Sequence, residues 1–412
     1  MLIAIATYVK KDFSEISSSV KVMGLMVANK YIGIGLIDPF YALFLGSLTN
    51  NYTAIGGMVS LMGLVSLFAV IPFARVADHV RTKFVVWHGL QLYCVVALLY
   101  FFAGVYHQIP LLILALILHG FAVVMVDTGA EVFIRRHAPF HKTAEAFGYL
   151  ESVKNFGWVL GILLGGFLFP YYGFKGMFLA MVPCMLINSF LVKWVNDEGI
   201  TSLLASLRRY SSHLRDFFGL FQDFHHLGRR IYFLYFITFF DGLVGVLTYT
   251  FIPLFARSLD LSYAGIALLM AVMYAPCIFS FLFAELADRL NKAGLIMVGL
   301  AIAVFTFVAL FLVVSRFWVV LFSGLISVSM AIVRPAYNGL LSDFSPPKIL
   351  GEVGSIQNFI SRFAVMICPL FFGYIADVLS IRFVFLFTAG IAFALILLSL
   401  GMRGYFYITD NA

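Results

Sequence analysis

The sequence carries little charge, because Asp, Glu, Lys and Arg make up only 11% of its 412 residues, against about a quarter in soluble globular chains. Its four cysteines lie at unrelated spacings inside apolar runs, which argues against a disulfide framework and a cysteine-based metal site. The G-x-x-x-x-G-K-[ST] loop that cradles phosphates is missing, so hydrolysis of a nucleotide by this chain is not expected. Neither a nucleophile elbow nor a Ser/His/Asp cluster is evident, and we expect no cofactor, no metal and no enzymatic activity.

The sequence does contain many long apolar runs. It is 62% hydrophobic, with a mean hydropathy of +1.01, and about 20 apolar residues suffice for one membrane-spanning helix. Apolar runs between charged residues and Gly/Pro punctuation predict twelve spans. The runs cover 20–48, 54–77, 84–105, 111–134, 144–169, 174–195, 231–256, 263–287, 293–314, 317–341, 353–375 and 383–402. We therefore predict an all-α membrane protein with twelve transmembrane helices.

The predicted spans divide the chain into five parts. These are an N-terminal segment (1–19), a six-helix bundle (20–195), a linker (196–230), a second six-helix bundle (231–403) and a tail (404–412). Basic residues concentrate on the side of the termini and the linker, so the positive-inside rule predicts that both termini are cytoplasmic. We expect a multi-pass protein of the cell inner (plasma) membrane. The basic residues on the cytoplasmic side of the lipid bilayer account for the net charge of +7, so no nucleic-acid partner is expected.

The two predicted bundles repeat each other in sequence. At an offset of 211 residues the matching pairs include Phe40/Phe251, Leu43/Leu254, Phe44/Phe255 and Ser47/Ser258. One position out of that register, Asp78 matches Asp288, each after the second span of its half and followed by basic residues. Two repeats of six spans are the plan of many secondary transporters, which bind substrate between the halves near the membrane midplane.

The loop after the second span reads A-R-V-A-D-H-V-R-T-K over 74–83, and its second copy reads A-E-L-A-D-R-L-N-K over 284–292. It resembles the G-x-x-x-D-R-x-G-R-R loop of the major facilitator superfamily, although both glycines are replaced. The resemblance covers the whole chain and implies the major facilitator fold, two pseudo-symmetric six-helix bundles. In that family the loop is a cytoplasmic latch whose Asp faces a helix N-terminus. The gating residues implied here are Arg75, Asp78, Arg81, Lys83, Asp288, Arg289 and Lys292.

The fifth span carries a second family signature. Gly157, Gly161 and Gly165 lie on one helix face at four-residue spacing, which lets a neighbouring helix approach closely. The pattern resembles that of the drug/proton antiporter branch and implies a gating role, although Ile162 replaces the family's proline. Plain helix packing is the alternative. Leu116 stands where such antiporters place an Arg in the fourth span. The sequence therefore leaves open whether this chain has the proton relay of that branch.

Ionisable residues inside the predicted spans form one layer. At 1.5 Å per residue they lie roughly 12 to 17 Å deep: Lys30, Asp127, Glu151, Lys154, Asp241 and Arg334. A charge at this depth costs several kcal/mol unless it is paired or faces water. The repeat maps Lys30 onto Asp241 and Asp127 onto Arg334, so related positions carry opposite charges. These residues can bind a charged or zwitterionic solute, pair between the halves, or pair permanently as Glu151 and Lys154 would at i, i+3.

Asp38 stands apart from this layer. It lies about 12 Å further out on the first span, precedes Pro39, and has no basic residue within one helical turn. Apolar surroundings disfavour a charged carboxyl group, as reversible protonation requires. Proton-coupled drug antiporters, which the chain resembles, place an acid on this span near a proline. We predict Asp38 as a proton site, with Asp127, Asp241 and Glu151; an Asp in an open vestibule or one that caps a broken helix is the alternative.

Polar and aromatic side chains complete the predicted site. The substrate-binding residues are Lys30, Asn29, Tyr31, Asp127, Asp241, Arg334, Asn338, Asn358, Tyr274 and Trp158. Further polar groups on cavity or gating helices are Tyr41, Tyr249, Gln357 and Arg362. Their chemistry suits a small organic molecule, because aromatic rings stack on organic solutes and amides and charges orient them.

The predicted function is secondary active transport of a small organic solute by alternating access, as a monomer that exports its substrate in exchange for protons. A proton-coupled symporter or facilitator for a small charged or zwitterionic metabolite is the first alternative. A membrane receptor or scaffold that no longer transports is the second.

Overall fold

The structure is a computed structural model that describes residues 17–49, 51–137, 143–197, 228–345 and 350–401. Most of the predicted N-terminal segment and linker, and the whole predicted tail, lie outside the described residues. We number the helices α1 to α12 by membrane crossing.

The first six helices are α1 (Ser18–Gly35 continued by Asp38–Leu48), α2 (Tyr52–His79), α3 (Thr82–Tyr106), α4 (Ile109–His137), and α5 and α6, which together form Thr143–Leu191. Gly173 separates α5 from α6, because its φ of 57° and ψ of −168° break the helix. A short turn, Val192–Trp194, follows α6.

The second six are α7 (Arg229–Val246, a π turn over Leu247–Phe251, then Ile252–Ser258), α8 (Tyr263–Ile278 continued by Ser280–Arg289), α9 (Lys292–Leu312), α10 (Arg316–Asp343), α11 (Leu350–Val378) and α12 (Ile381–Gly401). Within the described ranges, nine helices are long and apolar enough to cross a membrane, or ten when the two parts of α1 count as one span bent by 42°. One of them contains both α5 and α6, and α8 adds a shorter apolar helix. The prediction of twelve membrane-crossing helices is confirmed.

Several helices begin with a side chain that caps their first amides. Asn51 accepts from the amide of Ala54 at 2.7 Å at the start of α2, and Ser262 accepts from the amide of Gly265 at 3.1 Å at the start of α8. Such caps satisfy amides that have no partner within the helix. Asn51 and Ser262 are 211 residues apart, the offset of the sequence repeat, so the two halves begin their second helices in the same way.

An even number of crossings places Ser18 and Gly401 at one end of the bundle, which we call the terminal end; the opposite end is the far end. The closest helix pairs include α1 with α5 and α3 with α4 inside the first half, and α9 with α10 inside the second. Between the halves, α2 packs on α11 and α5 on α8. Large apolar side chains such as Phe167, Tyr171 and Phe190 are more than half exposed on the outside, as lipid contact requires.

Candidate functional site

Lys30 and Asp127 pair inside the first half, between α1 and α4. The Lys30 Nζ lies 2.7 Å from Oδ1 of Asp127, and the Tyr31 hydroxyl donates to the same oxygen at 3.2 Å. The Lys30 side chain is 1% exposed, and its ammonium lies over the rings of Tyr31 at 4.2 Å and Tyr93 at 5.3 Å. These contacts offset the cost of removing the ammonium from water.

Asp241 and Arg334 form the equivalent pair in the second half, between α7 and α10. The Arg334 guanidinium donates through Nε at 3.0 Å and through Nη2 at 2.8 Å to the two oxygens of Asp241. The Tyr337 hydroxyl adds a hydrogen bond of 3.0 Å. Acid and base have exchanged places relative to Lys30 and Asp127. The sequence left open whether these charges pair within or between the halves, and the structure pairs them within each half.

Two ion pairs, Glu151–Lys154 of the first half and Asp241–Arg334 of the second, lie near the contact between α5 and α8, where Asn155 donates to the Cys277 carbonyl at 3.2 Å. Lys154 donates to Glu151 one turn away at 2.8 Å, the local pairing that their spacing allowed. Both residues, together with Asp241 and Arg334, lie within electrostatic reach of Cys277 on α8. Glu151 is 49% exposed and Arg334 52% exposed, although both lie deep in their helices, so this region opens to water.

Asp38 is linked to an aromatic stack that crosses from one half to the other. The Trp158 indole donates to Oδ2 of Asp38 at 3.0 Å. The Trp158 ring stacks on Tyr274 of α8, with centroids 4.4 Å apart, and tilts against Tyr31 at 5.2 Å. Asp38 opens the second part of α1, which is partly the broken-helix arrangement that the sequence offered as an alternative. Its carboxyl group is thus connected to both halves through Trp158.

A chain of hydrogen bonds runs behind Asp38 inside the first half. The Tyr41 and Tyr100 hydroxyls are 2.9 Å apart, and the Tyr100 hydroxyl is 3.0 Å from Nδ1 of His119 on α4. The His119 ring lies 5.4 Å from that of Tyr93, which also contacts Lys30. Polar side chains therefore connect the part of α1 that carries Asp38 with the surroundings of the Lys30–Asp127 pair.

The remaining predicted substrate residues divide between packing and exposed positions. The Asn29 amide donates to the carbonyl of Cys184 and to Asn188 on α6, so it joins helices of the first half. Gln357 of α11 donates to Asn338 of α10 at 2.6 Å. Asn338 and Asn358 are exposed.

The predicted latch residues lie at the terminal end, and several contact their own half. Lys83 Nζ donates to the Val195 carbonyl at 2.8 Å, and Lys292 to Asp343 at 2.7 Å. Arg289 pairs with Glu285 one turn away, and Arg81 precedes α3 as its cap residue. The side chains of Arg75, Asp78 and Asp288 lie outside the described set. A gating role for these residues stays a prediction.

Sequence reasoning missed a buried acid at the end of α6. Asp197, with a side chain that is 0% exposed, accepts from the Thr82 hydroxyl at 2.9 Å and the Lys83 amide at 2.8 Å. Its other oxygen lies 3.6 Å from Nε2 of His137 at the end of α4. Asp197 thus connects the terminal ends of α3, α4 and α6. The sequence analysis did not predict this role because it assigned Asp197 to the linker.

The three glycines of α5 face the backbone of α1. A Cβ atom on Gly157, Gly161 or Gly165 would collide with the carbonyl oxygens of Ala28, Ile32 and Leu36, respectively. This is the close approach predicted from their spacing. The last of these carbonyls belongs to the break in α1 that precedes Asp38, so the glycine face positions the bend that presents the carboxyl group.

Aromatic rings and one acid close the far end between the halves. Phe40 of α1 lies 4.0 Å from Phe169, whose ring lies 4.4 Å from that of Tyr263 on α8. Beyond these rings is a cavity of about 440 Å³ lined by residues such as Ser47 and Ser258. At the rim, Asp377 of α11 accepts from the Tyr52 and Thr53 amides at 2.8 Å each, and from the Thr53 hydroxyl at 2.6 Å. Asp377 thereby caps α2 of the opposite half.

Replacing Asp377 with Ala should loosen this closure, because the α2 amides lose their only acceptor from the other half among the described residues. An exposed capping interaction contributes about 1 kcal/mol. We therefore expect Ala267→Cys, at a position that is 2% exposed where α8 contacts Gly166 of α5, to react about five-fold faster with a maleimide added to the far side. Asp260→Asn, which removes another far-end acid, is the control. An unchanged rate in Asp377→Ala would show that the cap does not hold the halves together.

Comparison with known proteins is consistent with this architecture. The family model described as Major Facilitator Superfamily matches residues 23–222 and 231–405. The chain is 29% identical over 167 residues to the quinolone resistance protein NorA of Staphylococcus aureus; this alignment covers 38% of the chain and 42% of NorA. The chain therefore spans less than half the length of that relative.

Two further comparisons extend over nearly the whole chain. The uncharacterized MFS-type transporter MJ1560 of Methanocaldococcus jannaschii is 22% identical over 395 residues, which cover 91% of this chain and 95% of MJ1560. A crystal structure of a D-xylose-proton symporter superimposes with a TM-score of 0.70 at 15% identity, covering 92% of this chain and 95% of that one. MJ1560 is named as a transporter, and the matching family consists of transporters and not enzymes. This multi-pass membrane protein therefore belongs to the major facilitator superfamily of secondary transporters.

Proposed function

We propose that this transporter exports an amphipathic organic solute in exchange for protons, with Asp38 as the proton site. The observation that carries the proposal is the hydrogen bond from Trp158 to Asp38, because the same indole stacks on Tyr274 of the other half. A change in the charge of Asp38 would therefore alter the contact between the halves. Coupling needs such a link between the proton site and the alternating element.

The aromatic stack supports an organic substrate. Tyr31, Trp158 and Tyr274 come from α1, α5 and α8, so a flat ring bound among them contacts both halves. NorA, which resembles this chain over part of its length, is named for quinolone resistance, and quinolones are flat aromatic molecules. The excess of basic residues at the terminal end supports placing both termini in the cytoplasm of a plasma-membrane protein. We also propose that the transporter works as a monomer.

The decisive experiment is transport by Asp38→Asn in proteoliposomes with an imposed pH gradient, using the quinolone norfloxacin as probe. We expect gradient-driven transport to fall to the background of empty vesicles, because Asn cannot release a proton. Binding of norfloxacin to the detergent-solubilised variant should change less than about three-fold, because the stack remains. Asp260→Asn, an acid beyond the aromatic closure, is the matched control.

Transport by Asp38→Asn at the wild-type rate would remove Asp38 from the coupling mechanism. The direction of proton movement tests the second candidate, a symporter or facilitator for a charged or zwitterionic metabolite. The ion pairs of both halves around Cys277 favour that candidate. Uptake of protons together with the solute, instead of against it, would select it.

A further inference from the structure

Arg362 differs from the other cations at the middle of the helices. Lys30, Lys154 and Arg334 each bind a carboxylate at 2.7 to 2.8 Å. Arg362, in the middle of α11, has neither a hydrogen bond nor an ion pair to any of the residues that the structure describes. A cation at this depth costs several kcal/mol when it faces lipid and is unpaired. The Arg362 side chain is partly exposed, and water between the halves accounts for this exposure.

The surroundings of Arg362 place it between the halves. The groups of opposite charge within its electrostatic reach are Asp127 and Glu131 of α4, and Tyr31 of α1 is also close. All three belong to the first half, whereas Arg362 belongs to the second. The backbone of α11 at Ser361 packs on Gly242 of α7, and at Val365 it packs on Gly63 of α2, so Arg362 lies where the two halves meet, next to the charge layer.

The neighbouring acid Asp127 is already engaged. Its Oδ1 accepts from both Lys30 and Tyr31, so the Arg362 guanidinium retains its full set of donors. A guanidinium with free donors binds a carboxylate through two parallel hydrogen bonds. Tyr31 lies near Arg362 and also contacts Trp158, which places the cation beside the aromatic stack.

We infer that Arg362 binds an anionic group of the substrate, and that the preferred substrates are aromatic carboxylates whose rings stack on Trp158 and Tyr274. The inference rests on the proposed function for the organic nature of the solute, and it adds the charge that the solute carries. A guanidinium in one half and a ring platform shared by both halves would hold such a molecule between them.

Binding in detergent, without any gradient, tests the inference. Norfloxacin, which carries a carboxylate, is compared with its ethyl ester by the shift of the thermal unfolding midpoint over a range of concentrations. We expect the wild type to bind the acid about 30-fold more tightly than the ester, which is ~2 kcal/mol at 1.4 kcal/mol per factor of ten. Arg362→Gln should abolish this preference by weakening only the acid, and Arg362→Lys should retain part of it.

Two further variants separate the alternatives. Lys175→Gln removes a positive charge at the far end and should keep the 30-fold preference. Glu131→Gln should keep it as well if Arg362 contacts the substrate, whereas its loss would show that Arg362 and Glu131 act as a gate pair. An unchanged preference in Arg362→Gln, or an equal loss for acid and ester, would overturn the inference. Failure of proton-driven transport with the preference intact would overturn only the proposed coupling.

Discussion

Replacing Asp127 with Asn is expected to lower the free energy of unfolding by ~3–5 kcal/mol, the usual cost of removing one partner from a buried ion pair. The Lys30 side chain is 1% exposed and cannot reach water when it loses the carboxylate. The aromatic rings over its ammonium recover only part of that loss. Unfolding by titration with a denaturing detergent, followed by tryptophan fluorescence, measures the change.

The chain offers a matched control for this prediction. Glu151→Gln removes one partner from an ion pair of similar length, 2.8 Å against 2.7 Å, whose acid is 49% exposed, and such pairs contribute about 0–1 kcal/mol. The double variant Lys30→Met, Asp127→Leu should recover most of the stability, because apolar residues of similar volume replace a buried pair at little cost. Equal losses in Asp127→Asn and Glu151→Gln would mean that the buried pair carries no special stability.

Replacing Gly161 with Leu is expected to abolish the folded protein. A Cβ at this position meets the Ile32 carbonyl and the Gly35 backbone, which cannot move aside as a flexible side chain would. Gly35 in turn packs against the backbone of Trp158 and Ile162, so the two helices contact each other through glycine on both sides. Overpacking commonly costs 1–3 kcal/mol, and a backbone collision costs more.

The yield of monodisperse protein on size-exclusion chromatography measures this effect. Leu at position 161 should reduce the yield at least about ten-fold, and Ala should give an intermediate yield. Gly390 of α12, where an added Cβ meets nothing within 4 Å, provides the control, and Gly390→Leu should be obtained in normal yield. A folded Gly161→Leu variant would contradict the close approach of α1 and α5.

Much of this architecture follows from local patterns in the sequence. Continuous apolar runs predict the helices, because a spanning helix must satisfy its own backbone in lipid. The repeat predicts two related halves, and the spacing of Gly157, Gly161 and Gly165 predicts a close helix contact. The loop motif identifies the family, which the family model confirms. Apart from the repeat, each of these signals lies within a few helical turns.

The site was less predictable, because its partners are distant in sequence. Asp38 and Trp158 are 120 residues apart, and Asp377 caps an amide 325 residues away; neither contact leaves a local pattern. Lys30 could have paired with Asp127 or with Asp241 on charge alone, and only the packing of α1 on α4 decides between them. Counting residues from the helix ends placed these charges at one depth, but it could not assign their partners.

The two irregular points in α1 and α7 occupy equivalent places in the repeat. The break at Leu36 and Ile37 and the π turn that begins at Leu247 are separated by the repeat offset of 211 residues. Lys30 and Asp241 lie on the terminal side of these points, while Asp38 and Phe40 lie on the far side. Each helix therefore has an irregular point at the same place in its half, and at this point α1 is bent by 42°. Movement of the far-side segments about these points would open the far end and leave the ion pairs on the terminal side intact. A solute could then enter from the far side without disturbing the electrostatics of either half.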